Sequence, residues 1–168
     1  MSSVLELGCG TGKNTAWLIK KAKRITAVDF SDEMLAVAKE KITSPKVHFI
    51  HADITQPWKF LQDQYDLLTF SLVLEHISNL RPVFAKAGQF LKKGGYVYIG
   101  ELHPCKQYAG TKARVMVNNT EQIADCYDHH ILDFIRAARK SGLNIFDMNE
   151  FFDNDKVMPR ILSITLRK

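Results

Sequence analysis

The sequence predicts an α/β domain built on a mostly parallel, seven-stranded sheet with helices on both faces. Three observations lead there. Short apolar runs alternate with segments of helical period, the pattern of βα units. The first run, Val4 to Leu7, ends in a cluster of glycines at Gly8, Gly10 and Gly12. The run from Tyr65 to Leu74 is almost continuously apolar, as a strand buried on both faces must be.

Each element has its own local reason. Asn14 to Lys21 reads as the first helix, anchored by Trp17 and Leu18. Arg24 to Phe30 is a second strand, rich in Ile, Thr and Val. Ser31 is placed to cap the next helix, and Asp32 and Glu33 put negative charge in its first turn, where the helix dipole favours it. That helix carries Met34, Leu35, Ala38 and Ile42 on one face and stops at Pro45. Val47 to Ala52 is the third strand, closed by Asp53. After the fourth, Leu80, Val83, Phe84, Ala87 and Phe90 repeat at helical spacing, with Gly94 and Gly95 expected to cap the helix and Tyr96 to Leu102 to form the fifth strand. Ala113 to Val117 and Gln122 to Tyr127 suggest a hairpin across Asn118-Asn119-Thr120. Ile131, Phe134, Ile135 and Ala138 mark a last helix, ended by Gly142. Asn144 to Phe151 and Ile161 to Leu166 then follow as terminal strands. With no helix between them, these two are expected to pair antiparallel.

The 168 residues suit one domain, 1–168, with a core of its own. An apolar share of 46% and a charged share of 24% exclude a disordered or fibrous chain. No run approaches the roughly 18 apolar residues of a membrane span. The strand pattern begins directly after Met1-Ser2-Ser3, which leaves no room for a secretion signal. Cys9, Cys105 and Cys126 are odd in number and form no C-x-x-C pair, so neither a disulfide framework nor a zinc ribbon is expected. The expected location is the cytoplasm. The net charge of +5 is spread along the chain in single lysines. It is read as a solvated surface rather than a nucleic-acid arm.

A strand, a glycine turn and a helix bring backbone N–H groups to the carboxyl edge of the sheet, where open α/β sheets bind ligands. The first turn of such a helix favours an anionic group, either a pyrophosphate or a carboxylate. Spacing discriminates between ligands. A dinucleotide fingerprint G-x-G-x-x-G starting at Gly8 needs glycine at position 13, which is Lys13. A Walker loop fails too, because Lys13 is followed by Asn14 rather than Ser or Thr. The segment is instead Glu6-Leu7-Gly8-Cys9-Gly10-Thr11-Gly12.

That segment resembles the first motif of class I S-adenosylmethionine-dependent methyltransferases. The later motifs stand in the same order: Val28-Asp29-Phe30-Ser31, His51-Ala52-Asp53-Ile54, Asp66 to Ser71, and Leu91-Lys92-Lys93-Gly94-Gly95-Tyr96-Val97. The resemblance covers residues 4–102 and implies the Rossmann-like fold of that class, with S-adenosylmethionine as cofactor and no metal. It implies a cofactor site made of Glu6, Gly8, Cys9, Gly10, Gly12, Asp29, Phe30, Met34, Asp53, Ile54 and Ser71. Asp29 would accept the ribose hydroxyls. Phe30 and Met34 would lie against the adenine, with Asp53 and the Ile54 N–H reading its edge. Glu6 and the Ser71 carbonyl would face the amine of the methionine end.

The acceptor is expected to be a small molecule. Where amino-methylating nucleic-acid enzymes carry Asn/Asp-Pro-Pro-aromatic, this chain has Ser71-Leu72-Val73-Leu74-Glu75-His76. It is similar to the branch that includes the quinone-biosynthesis methyltransferases. If the acceptor must lose a proton, the candidate bases are His76 and His103, beside Glu75 and Glu101, with His129 and His130 if the irregular segment folds over the site. His103 and Cys105 alone are too few to hold a metal. The resemblance also implies helices ahead of the first strand, and this sequence starts at that strand. The acceptor pocket is therefore expected to be incomplete, or covered by His103 to Tyr127. Two other readings stay open: a non-catalytic S-adenosylmethionine-binding subunit and an NAD(P)-dependent oxidoreductase.

Overall fold

A computed structural model describes residues 3–110, 114–117, 120–123, 126–153 and 157–168. Five parallel strands form first: β1 (Ser3–Leu7), β2 (Arg24–Asp29), β3 (Val47–His51), β4 (Tyr65–Ser71) and β5 (Leu91–Leu102). Between them lie α1 (Lys13–Leu18), α2 (Asp32–Lys41) and α3 (Leu80–Phe90). Beyond them come α4 (Pro104–Tyr108), the hairpin strands β6 (Arg114–Val117) and β7 (Thr120–Ile123), α5 (Ile131–Lys140), β8 (Asn144–Phe152) and β9 (Pro159–Arg167). The main sheet has seven strands in the order β3-β2-β1-β4-β5-β9-β8. β9 runs antiparallel to both β5 and β8, as the absence of a helix between the last two strands requires.

Side chains alternate across this sheet and divide the core in two. Val4, Ile25 and Ala27 pack with Leu18 of α1 and Leu35 of α2 on one face. Leu5, Leu68, Phe70, Val97 and Ile99 pack with Phe84 of α3 and Phe134 of α5 on the other. Phe70 and Phe84 lie parallel at 6.4 Å. Each fully buried side chain of this size contributes about 1.5–3 kcal/mol. Ser31 caps α2 as expected, its hydroxyl accepting from the Met34 N–H.

Several boundaries differ from the sequence reading, three of them for a physical reason. α1 ends at Leu18, because Lys20 N–H bonds to Trp17 O and Lys21 N–H to Leu18 O, tightening the last turn. β4 ends at Ser71, not Leu74: Leu72 takes a left-handed φ of 53°, and Leu74–His76 form a 3₁₀ turn. Gly94 and Gly95 do not cap α3. Leu91 already pairs with Tyr65 on β4, and Gly94 turns the chain inside β5 before Tyr96 rejoins opposite Leu67. The β6–β7 hairpin pairs Val117 with Thr120, two residues earlier than expected for its second strand. Ala113, Asn118, Asn119, Ala124 and Asp125 of that expectation lie outside the described residues. Among the described residues no helix is long and apolar enough to cross a membrane. Among them, too, no three metal-ligating side chains gather at one point.

Candidate functional site

Sheet order reverses between β1 and β4, so the loops leaving these two strands diverge and open a crevice at their carboxyl ends. The glycine loop fills one side. The N–H groups of Gly8 and Cys9 both donate to Val28 O, at 2.8 and 3.0 Å, tying the loop to β2. Gly8 stands at φ 77°, and a Cβ there would lie 2.5 Å from Cγ2 of Val73. Only glycine lets the loop after β1 and the loop after β4 touch. Glu6, 3% exposed, accepts from the Thr15 hydroxyl at 2.6 Å. Burial pushes its carboxyl up to about 7; the Thr15 bond opposes this and the charge of Asp29 adds to it. Burial beside the same two carboxylates raises the Cys9 thiol to about 12, which disfavours the thiolate.

At the end of β2, Asp29 is 7% exposed. Its Oδ2 accepts the Gly10 N–H at 2.7 Å and its Oδ1 the Ser31 N–H at 3.0 Å. A carboxylate has about four acceptor positions, so roughly two remain for a ligand. Next to it Phe30 is 72% exposed, a flat apolar ring left in solvent at the mouth of the crevice, and Met34 is 38% exposed. His51 fixes this segment, its Nε2–H donating to the Phe30 carbonyl at 2.7 Å.

After β3, Asp53 closes a turn by accepting the Thr55 N–H and hydroxyl, both at 2.8 Å. Partial burial works against its ionised form, but these bonds and Lys86 outweigh it and lower its carboxyl below the usual value. Lys86, from α3, donates to the carbonyls of Ile54, Thr55 and Gln56 at 2.7–2.9 Å and sits over the Trp58 ring. The Ile54 carbonyl also accepts from Trp58 Nε1 at 2.9 Å.

The fourth and fifth strands close the crevice. Ser71 ends β4 opposite Gly100. The Leu72 N–H donates to Gly100 O at 2.8 Å. Glu101 lies beneath the turn that follows: Oε1 accepts the N–H groups of Val73 and Leu74 at 3.1 and 3.0 Å, and Oε2 that of Glu75 at 3.4 Å. Burial pushes the Glu101 carboxyl up to about 7, against the pull of those donors and with help from buried Glu75.

The histidines are dispersed. His76 is exposed at the end of the 3₁₀ turn, with the Cys126 sulfur 3.9 Å from Nδ1. His103 is 2% exposed; its Nδ1 accepts the Cys105 N–H at 3.1 Å, so Nε2 carries the proton and donates to Glu150 at 3.0 Å. The segment leading to α5 runs alongside the 3₁₀ turn, with Tyr127 N–H on Glu75 O and buried His129 donating through Nε2 to Ile77 O. His130 stands at the start of α5 and meets the Tyr108 hydroxyl.

Comparison with known proteins decides what this crevice belongs to. The family profile described as "Methyltransferase domain" matches residues 5–99, more than half of the chain. The chain belongs to the methyltransferase domain family. A malonyl-(acyl-carrier protein) O-methyltransferase of Priestia megaterium is 33% identical over 128 residues, covering 70% of this chain and 46% of that protein. A demethylmenaquinone methyltransferase of Clavibacter sepedonicus is 33% identical over 99 residues, 58% of this chain and 40% of that one. The chain thus spans less than half the length of these relatives. A crystal structure of an S-adenosylmethionine-dependent methyltransferase from Mesorhizobium loti superposes with a TM-score of 0.82 at 20% identity, covering 99% of this chain and 90% of that one. At that identity the likeness is one of fold.

Within this methyltransferase domain, the structure brings Glu6, Gly8, Cys9, Gly10, Gly12, Asp29 and Phe30 together at one edge, with Asp53, Ile54 and Ser71 at the ends of the flanking strands. Four residues that support the crevice were not read from the sequence: Thr15 under Glu6, His51 behind Phe30, Lys86 under the Asp53 turn, and Val73 on Gly8. His51 and Val73 fall within segments quoted above and Thr15 and Lys86 do not, but each reaches its partner only through the fold.

Proposed function

We propose that residues 1–168 form a single methyltransferase domain that binds S-adenosylmethionine along the carboxyl ends of β1, β2 and β3. The domain passes the methyl group to a small-molecule acceptor in the cytoplasm. The observation that carries this reading is Asp29, held by Gly10 and Ser31 with acceptor positions to spare, between a glycine loop and an exposed Phe30. A vicinal ribose diol needs two acceptors, an adenine needs a flat apolar face, and an amino-acid terminus needs a carboxylate such as Glu6. Asp29, Phe30 and Glu6 offer such groups on neighbouring strands, which supports the reading. Two relatives are named for malonyl-(acyl-carrier protein) and demethylmenaquinone as acceptors, and the second supports a small-molecule acceptor.

The cofactor supplies an electrophilic methyl on a sulfonium, and the chain's part is alignment. Holding donor and acceptor in line supplies several of the roughly 7–11 kcal/mol available from orientation. Asp29, Asp53 and Phe30 would fix the nucleoside, and Glu6 with the Ser71 carbonyl the amine. If a proton must leave the acceptor, His76, exposed on the 3₁₀ turn after β4, is the base candidate. His103, with both ring nitrogens engaged, is suited to holding β5 and β8 together.

Calorimetric titration with S-adenosylhomocysteine and, separately, NADH tests the reading. Micromolar binding of the first and none of the second is expected. Preference for NADH, or no binding of either, would remove it.

Glu6 makes the affinity depend on pH. Its carboxyl titrates near 7 in the free protein, and only the ionised form attracts an ammonium group. Bound ligand lowers that value, so affinity rises with pH between about 6 and 8, by up to about tenfold per unit below 7. At about pH 6.5 the calorimetric heats in buffers of different ionisation enthalpy should report proton release. The stability of the free protein moves the other way. A carboxyl raised from 4.5 on folding contributes stability present below 4.5 and lost as pH rises through about 7. A pH-independent affinity would place the amine elsewhere.

A further inference from the structure

Glu101 is buried, 2% exposed, and its oxygens take three consecutive backbone N–H groups. Those groups belong to Val73, Leu74 and Glu75, directly after the one non-glycine residue with positive φ among the described residues, Leu72. A leucine at φ 53° does not hold that conformation by itself. Two things hold it: Gly100 O on the Leu72 N–H, and the Glu101 carboxylate one residue further along β5. The consequence reaches the crevice, because the side chain fixed next, Val73, is the one seated on Gly8.

We propose that Glu101 is a positioning residue: by clamping the backbone of Val73 to Glu75 it holds the end of β4 against the glycine loop, where the amino-acid end of the cofactor is read. This rests on the S-adenosyl reading of the loop. It assigns Glu101 no proton transfer and no contact with either substrate. The nucleoside end, held by β2 and β3, does not depend on it.

That division gives the test. S-adenosylhomocysteine carries both ends, and 5′-methylthioadenosine only the nucleoside. Both are titrated into wild type, Glu101→Ala and Glu101→Gln at a pH where wild type binds. Glu101→Ala is expected to weaken S-adenosylhomocysteine about tenfold or more and methylthioadenosine less than about twofold. Glu101→Gln keeps one acceptor oxygen and should recover part of the loss. Equal weakening of both ligands, or of neither, overturns the assignment. If Glu101→Ala does not fold, Glu101→Gln and amide exchange decide. The N–H groups of Val73 and Leu74 should exchange slowly in wild type and faster in the Gln variant, with those of Gly8 and Cys9 unchanged. Uniform exchange across both segments also overturns it. Wild type that binds neither nucleoside ligand would instead remove the cofactor reading on which the assignment stands.

Discussion

Asp29→Ala is expected to weaken S-adenosylhomocysteine at least about a hundredfold. A hydrogen bond to a charged group contributes about 1.5–3 kcal/mol, and two ribose hydroxyls are at stake. The loss goes further than direct contacts. Asp29 also receives the N–H groups of Gly10 and Ser31, so the substitution frees the glycine loop and the start of α2 together. Some stability should go with it, about 1–3 kcal/mol for each N–H left unsatisfied. Calorimetry well below the variant's melting temperature, checked by circular dichroism, separates the two effects. Asp29→Asn should fall between, since one oxygen keeps its donor while the amide meets the other donor head on. An Ala variant that binds within tenfold of wild type would show that Asp29 organises the loop without touching the ligand.

The legibility of the site follows from how far apart in sequence its partners lie. Glu6, the glycines and Asp29 with Phe30 and Ser31 sit at the ends of β1 and β2, where a change of period marks the carboxyl edge in the sequence itself. The antiparallel end strands were readable because no helical segment separates them. The boundary of β4 was not. Its apolar run continues through Leu74 because Leu74 is buried and Val73 packs on Gly8, and nothing in the composition marks the reversal at half-exposed Leu72. Supporting contacts were beyond reach of spacing arguments. Lys86 reaches Ile54 across 32 positions and His103 reaches Glu150 across 47. His103 sits at a strand end, as a catalytic histidine would, and only its surroundings show that both ring nitrogens are committed.

Gly8→Ala should cost about 3 kcal/mol of stability, and the cofactor site with it. Two terms add. A left-handed φ of 77° costs an alanine roughly 1–2 kcal/mol. The new Cβ would also sit 2.5 Å from Val73 Cγ2 and 2.7 Å from Val73 Cβ, an overpacking worth about 1–3 kcal/mol where backbone cannot yield. Here yielding is difficult on both sides. The loop is held by Val28 O, and Val73 by the Glu101 carboxylate. The two terms separate in a double variant. Gly8→Ala with Val73→Gly removes the collision and leaves the φ cost, so part of the lost urea midpoint should return at an unchanged m-value. No recovery would mean that backbone conformation alone demands glycine. Full tolerance of Gly8→Ala would mean that the loops after β1 and β4 do not meet, and the crevice between them would have to be redrawn.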